Sequence, residues 1–137
     1  MNAIVQRLGR IQTAEMLGHF NALSSTDLRL RFGASMGHTA LEKYVNGIDF
    51  SNDRVFGMFD RELRLVSLAH LAVDLERDIA ELGLSVVCDS RRRGHGEALL
   101  RRAATHAASL GLHMICMHCL RENGALMSLA HKAGFKI

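Results

Sequence analysis

Arg91, Arg92, Arg93, Gly94, His95 and Gly96 stand in one run, between an apolar stretch that ends at Val87 and an amphipathic one that begins near Leu99. Paired glycines at a strand-to-helix turn let an anion reach main-chain N–H groups without obstruction by Cβ atoms, and the helix start adds unpaired amides and positive dipole charge. The arginines bring further charge to the same place. This spacing suits a diphosphate held mainly by main-chain amides, with the side chains of Arg92, Arg93 and His95 secondary. Two other phosphate motifs do not fit: no Gly-Lys-Ser/Thr follows, and Leu99 stands where a dinucleotide turn needs its third glycine. A plain tight turn beside a solvated run of arginines remains the alternative reading of these residues.

The elements around this turn follow from hydrophobic periodicity. Residues 3–8 form a first strand, and Leu17, Phe20 and Leu23 keep a helical step after Thr13. A second helix is marked by Thr39 and Glu42 at capping-box spacing and by the stripe Leu41, Tyr44, Val45 and Ile48. The period then changes to two: residues 54–59, 63–73 and 80–87 read as strands of an antiparallel meander, with a polar turn around Asp60 to Glu62. In the middle strand Leu63, Leu65, Ala69, Leu71 and Val73 share a face. Helical period returns with Leu99, Leu100, Ala103, Ala107 and Leu110, ended by Gly111; residues 112–120 form another strand, and Asn123 caps a last helix that closes at Gly134. The order is β, α, α, β, β, β, α, β, α.

The chain has 137 residues, 48% hydrophobic and 23% charged, which fits one α+β domain over residues 1–137 with a single core. Its 17 Lys+Arg against 14 Asp+Glu give +3, and the excess clusters at Arg91, Arg92, Arg93, Arg101 and Arg102, as for a localised anionic ligand. Aromatic residues are 5% and no nucleic-acid-binding motif accompanies the arginines, so nucleic acid is not an expected partner. No apolar run of membrane-spanning length and no secretory leader pattern is present, which predicts a cytoplasmic protein without a membrane partner. Cys88, Cys116 and Cys119 are too few for a disulfide framework. Cys116 and Cys119, with His118 between them, suggest zinc, but on a strand they point to opposite faces and no second ligand pair follows, so no metal is expected.

Arg91, Gly94 and Gly96 between a strand and a helix, followed by Asn123 opening a helix and Gly134-Phe135 closing it, resemble the signatures of the general N-acetyltransferase (GNAT) superfamily. The joint resemblance covers Glu81 to Ile137. Shorter matches at Leu23-Ser24, Arg29-Leu30-Arg31-Phe32, Ile48-Asp49-Phe50 and Ala80-Glu81 look like the acetyltransferase domain of bacterial Pat-type protein lysine acetyltransferases. The resemblance implies a mixed, mostly antiparallel sheet flanked by helices, and transfer of acetyl from acetyl-CoA to an amine by direct attack on the thioester. The acceptor would be a small molecule or a protein lysine. It also implies that Leu84, Ser85 and Val86 hold the pantetheine arm and thioester carbonyl through main-chain groups. The diphosphate would lie on Arg91, Arg92, Arg93, Gly94, His95, Gly96 and Glu97, with Asn123 completing the cofactor site.

A lysine amine is almost wholly protonated at neutral pH and must lose a proton before it attacks. In many members of the family a glutamate on this strand takes that proton, which points to Glu81; it stands in an apolar run where burial would make it the better base. The tyrosine that many members place seven residues after the asparagine is Ala130 here, with Ser128 and His131 nearby. That departure motivates the rival expectation of a GNAT-like domain that binds CoA as a regulatory ligand without efficient catalysis. The family usually continues past Gly-Phe into further strands, whereas this sequence stops at Ile137. The expectation is a domain without the C-terminal strand, either truncated or with its open edge covered in a homo-oligomer.

Overall fold

The computed structural model describes residues 4–117 together with Gly124 and Ser128. Strand β1 (Gln6–Leu8) leads through a 3-10 turn into helices α1 (Thr13–Asn21), α2 (Ser25–Phe32) and α3 (His38–Asn46). Strands β2 (Arg54–Phe59), β3 (Leu65–Asp74) and β4 (Ile79–Val86) follow, then a second 3-10 turn, helix α4 (His95–Ser109) and strand β5 (Met114–Cys116). The sheet runs in the order β1-β2-β3-β4-β5. Its first three pairings are antiparallel and β4–β5 is parallel, because α4 carries the chain back across the sheet between them.

The α+β architecture is the one expected, with differences that have local causes. Helix α2 lacks an apolar stripe: Leu28 is its buried residue, and its bounds come from polar chemistry. Ser24 accepts a hydrogen bond from the Asp27 N–H at 3.1 Å, and Gly33 ends the helix at φ 76°. Helix α3 starts at His38 behind Gly37 with no side-chain cap, and Glu42 meets the His38 ring at 3.1 Å, so the capping box predicted at Thr39 does not form.

Leu63 and Leu65 leave the face assigned to them. Leu63 sits at φ 62° in the β2–β3 turn, where Asp60 Oδ1 accepts from the N–H groups of Glu62 and Arg64. An irregularity between Met58 and Phe59 then shifts the register, so that Leu65 packs with the opposite side of the sheet. Of the strand predicted at 112–120, Met114–Cys116 lies among the described residues; the helix predicted from Asn123 to Gly134 lies outside them apart from Gly124 and Ser128, both helical.

Two cores lie on the two faces of the sheet. On one, Phe56, Met58, Ala69, Leu71, Val73, Ala80, Leu82 and Leu84 meet Leu99, Leu100, Ala103 and Ala107 of α4. On the other, Val55, Val66, Leu68 and Val87 meet Met16 and Phe20 of α1, Leu28 of α2, and Leu41 and Val45 of α3. Alternation along β4 assigns Glu81, Gly83 and Ser85 to this second face.

Candidate functional site

Two parts of the molecule meet at the end of β4. The first is the open edge of that strand. β5 pairs with Ile79, Ala80 and Glu81 alone, so beyond Glu81 the edge of β4 has no partner strand among the described residues. The Val87 N–H donates to Val66 O at 2.9 Å. In an antiparallel ladder this marks a hydrogen-bonded pair, and counting back along the register turns Ser85 main-chain groups toward β3 and those of Leu84 and Val86 toward the open edge. Two amides of the predicted Leu84-Ser85-Val86 triplet therefore face the site, whereas Ser85 is committed to the sheet. Its hydroxyl is committed as well, to His19 at 2.8 Å.

The second part is the start of α4. Gly94 caps the helix at φ 80° and Arg92 before it stands at φ 65°, a pair of left-handed residues that bring the chain sharply from β4 into the helix. The first helical bond closes from Ala98 N to Gly94 O at 3.0 Å, and no side chain caps the end. The N–H groups of His95, Gly96 and Glu97 thus lack helical partners, the arrangement that receives an anion. A cleft of about 930 Å3 opens beside them, with Asp60, Arg64, Asp89, Arg93 and His95 in its walls. His95 Nδ1 is buried without a hydrogen-bond partner, and burial, then the charge of Arg93, holds its pKa below the ordinary value.

The arginines divide by role. Arg91 is tied to Asp27 of α2 at 2.8 Å and donates from Nε to Val86 O at 3.1 Å, so it fixes the turn against α2 and β4. Arg92 and Arg93 are exposed, with no ion pair among the described residues. Glu97 is met by Arg101 at 2.9 Å, one turn along the helix.

On the α1–α3 face of β4 lies a polar chain that periodicity did not reveal. Arg31 of α2 lays its guanidinium over Gly83, where an added Cβ would stand 2.1 Å from Cζ. Its Nη2 donates to the Tyr44 hydroxyl at 3.0 Å, Tyr44 meets His70 Nδ1, and His70 Nε2 meets Asp53 Oδ2 at 2.8 Å. The ends fix every proton, because an arginine only donates and a carboxylate only accepts. His70 must carry its proton on Nε2, and the Tyr44 hydroxyl must donate to Nδ1. Burial first, against the pull of Asp53, lowers the His70 pKa, and burial raises that of Tyr44. Asp53 Oδ1 also accepts from the Val73 N–H at 3.2 Å, which locks the carboxylate onto β3.

His19 has the opposite tautomer for the same reason. Its Nδ1 must donate to Leu65 O at 3.0 Å, which leaves Nε2 to accept from Ser85 Oγ. Burial lowers its pKa to about 4, so it is neutral near pH 7.

Glu81 is exposed, against the burial expected from its apolar neighbours. It faces the α1–α3 side opposite Ala72, which is itself only partly buried. The predicted Asn123, Ala130, His131, Gly134 and Phe135 lie outside the described residues. Among the described residues no group of histidine, cysteine or acidic side chains could hold a metal ion, and no helix is long and apolar enough to cross a membrane.

Residues 26–135 match the model of the acetyltransferase (GNAT) family, and the chain belongs to that family. The fold agrees. The GNAT domain of S. lividans PAT superposes with a TM-score of 0.82 at 16% identity, over 98% of this chain and 81% of that one. A ribosomal-protein-alanine N-acetyltransferase from Brucella melitensis gives 0.76 at 18% identity, over 97% and 84%. The spermidine N-acetyltransferase of Vibrio cholerae, solved with CoA and spermine, gives 0.74 at 20% identity, over 96% and 79%. No curated protein matches the chain by sequence.

Proposed function

We propose that this GNAT domain transfers an acetyl group from acetyl-CoA to an amine. The observation that carries the reading is the adjacency of an anion-receiving helix start and an open strand edge, joined by the turn that Arg91 pins. The first-turn amides of α4, at His95, Gly96 and Glu97, would take the diphosphate, with Arg92 and Arg93 as exposed countercharge. The Leu84 and Val86 amides would take the pantetheine arm and the thioester oxygen. A fixed N–H aimed at that oxygen stabilises the negative charge that forms when the amine attacks. The complex of the spermidine enzyme with CoA and spermine supports a thioester donor and an amine acceptor.

Glu81 enters this reading as the carboxylate of β4, able to take a proton through the water around it. Asn123 remains assigned to the cofactor site by its place in the family signature. The cofactor assignment is tested by calorimetry on Gly96→Val. A valine side chain at the helix start should abolish measurable CoA binding while circular dichroism and melting stay close to those of the parent. Unchanged affinity would remove the diphosphate from this turn. Release of free thiol from acetyl-CoA across a panel of amines and lysine peptides separates a transferase from a domain that only binds CoA.

A further inference from the structure

We propose that Tyr44, His70 and Asp53 form a proton-accepting relay for the acceptor amine, with Arg31 holding its outer end over Gly83. The proposal rests on the transferase reading and names a group that takes the proton within the fold.

His70 and Gly83 are register partners, and Gly83 adjoins Leu84, whose main-chain groups face the open edge. The Arg31 guanidinium that covers Gly83 bonds directly to the Tyr44 hydroxyl. The relay therefore ends next to the strand segment proposed to carry the thioester. Glu81 lies two residues from Gly83 on the same face, but exposed.

All hydrogen bonds in the chain point from Arg31 toward Asp53, and a phenol oxygen has two lone pairs, of which Arg31 uses one. An acceptor ammonium can donate to the other. Its proton passes to the Tyr44 oxygen as the Tyr44 proton passes to His70 Nδ1, leaving an imidazolium against the Asp53 carboxylate. The free amine then attacks the thioester carbon. The C–N bond forms, the C–S bond breaks, and its electron pair leaves on sulfur. The second proton lost from nitrogen neutralises the thiolate, and His70 returns its own to solvent through Tyr44. The positive charge of Arg31 beside the nitrogen favours the free amine over the ammonium.

The His70 and Asp53 side chains are about 10% and 14% exposed, and the groups facing His70 are Tyr44 from α3, Arg31 from α2, Asp53 ahead of β2 and Gly83 on β4. Burial keeps His70 neutral near pH 7, with its Nδ1 lone pair available.

The experiment uses the best amine from the thiol-release panel and compares Tyr44→Phe, His70→Gln, Asp53→Asn and Glu81→Gln for kcat and KM between pH 6 and 9.5, with CoA affinity by calorimetry. Tyr44→Phe and His70→Gln should lower kcat by about 10²–10⁴-fold at pH 7. CoA affinity should hold, and the deficit should shrink as pH rises and the acceptor deprotonates unaided. Asp53→Asn, which keeps the size of the positioning residue, should lose less and show the same pH trend. Parental kcat and pH profile in Tyr44→Phe, or a loss confined to CoA affinity or melting, overturns the relay while leaving the transferase standing; so does a loss seen in Glu81→Gln alone. A parent that binds CoA yet acetylates no amine removes both.

Discussion

The two faces of the sheet are built from different materials. Against α4 the strands present Phe56, Leu71, Leu82 and Leu84, and the helix answers with Leu99, Leu100, Ala103 and Ala107; Ser67 is the polar residue buried there, its hydroxyl without a partner. Against α1–α3 the strands also bury an apolar core, with Val55, Val66 and Leu68 against Met16 and Phe20, but beside it they present His70, Ser85 and the bare backbone of Gly83, met by His19, Arg31 and Tyr44. One face needs only to fill space and can be tight everywhere. The other pairs its tyrosine, histidine and serine groups with one another and with the backbone, which fixes tautomers and side-chain positions, while Arg31 Nε stays buried without a partner.

The contrast breaks most visibly at Leu100. Leu100→Ala deletes a fully buried side chain of the apolar face and should cost about 2–5 kcal/mol, read by urea unfolding. The kcat per folded molecule should hold, since α4 meets the sheet on the side away from Tyr44 and His70. A parental unfolding curve would show that the α4 face is not the stabilising one.

On the polar face the largest stability effect should come from acid. His19 titrates at about 4 in the fold against 6.5 when exposed. Between those values the unfolded chain holds a proton that the folded chain refuses. The His19 contribution is therefore complete above pH 6.5 and is lost as pH falls toward 4, up to ~3 kcal/mol. Unfolding curves at pH 7 and 4.5 should show the loss, and His19→Gln should flatten the slope between them; an unchanged slope would place the acid sensitivity elsewhere.

The smallest effect belongs to the turn that joins the two faces. Asp27→Asn breaks the partly exposed ion pair with Arg91 and should cost about 0.2–1 kcal/mol, less at high salt. A larger, salt-independent loss in the same unfolding assay would make this pair a structural anchor.

Periodicity carried the elements that bury a stripe. β2, β4, α4 and the apolar half of α3 are legible because Val55, Leu82, Leu100 and Val45 repeat at the period their backbone imposes. Helix α2 was not legible, since Leu28 is its buried residue and its ends are set by Ser24 and Gly33. The glycine turn was legible because a helix start is local: its free amides are consecutive and its geometry is set by residues a few positions apart. Glu81 misled because an apolar neighbourhood in sequence is not burial in space; whether a strand residue is covered depends on how far the helices of the other face extend.

The sequence by itself determined the family and the place of the strand-to-helix glycine turn, since both are written in short-range patterns. Only the tertiary structure decided that Ser85 turns inward to His19, that the Leu84 and Val86 amides remain at the edge, and that Arg31, Tyr44, His70 and Asp53 form one directed chain. Those residues come from four separate segments. A hydrogen bond between them depends on sheet register and helix docking, and no spacing along the chain encodes either.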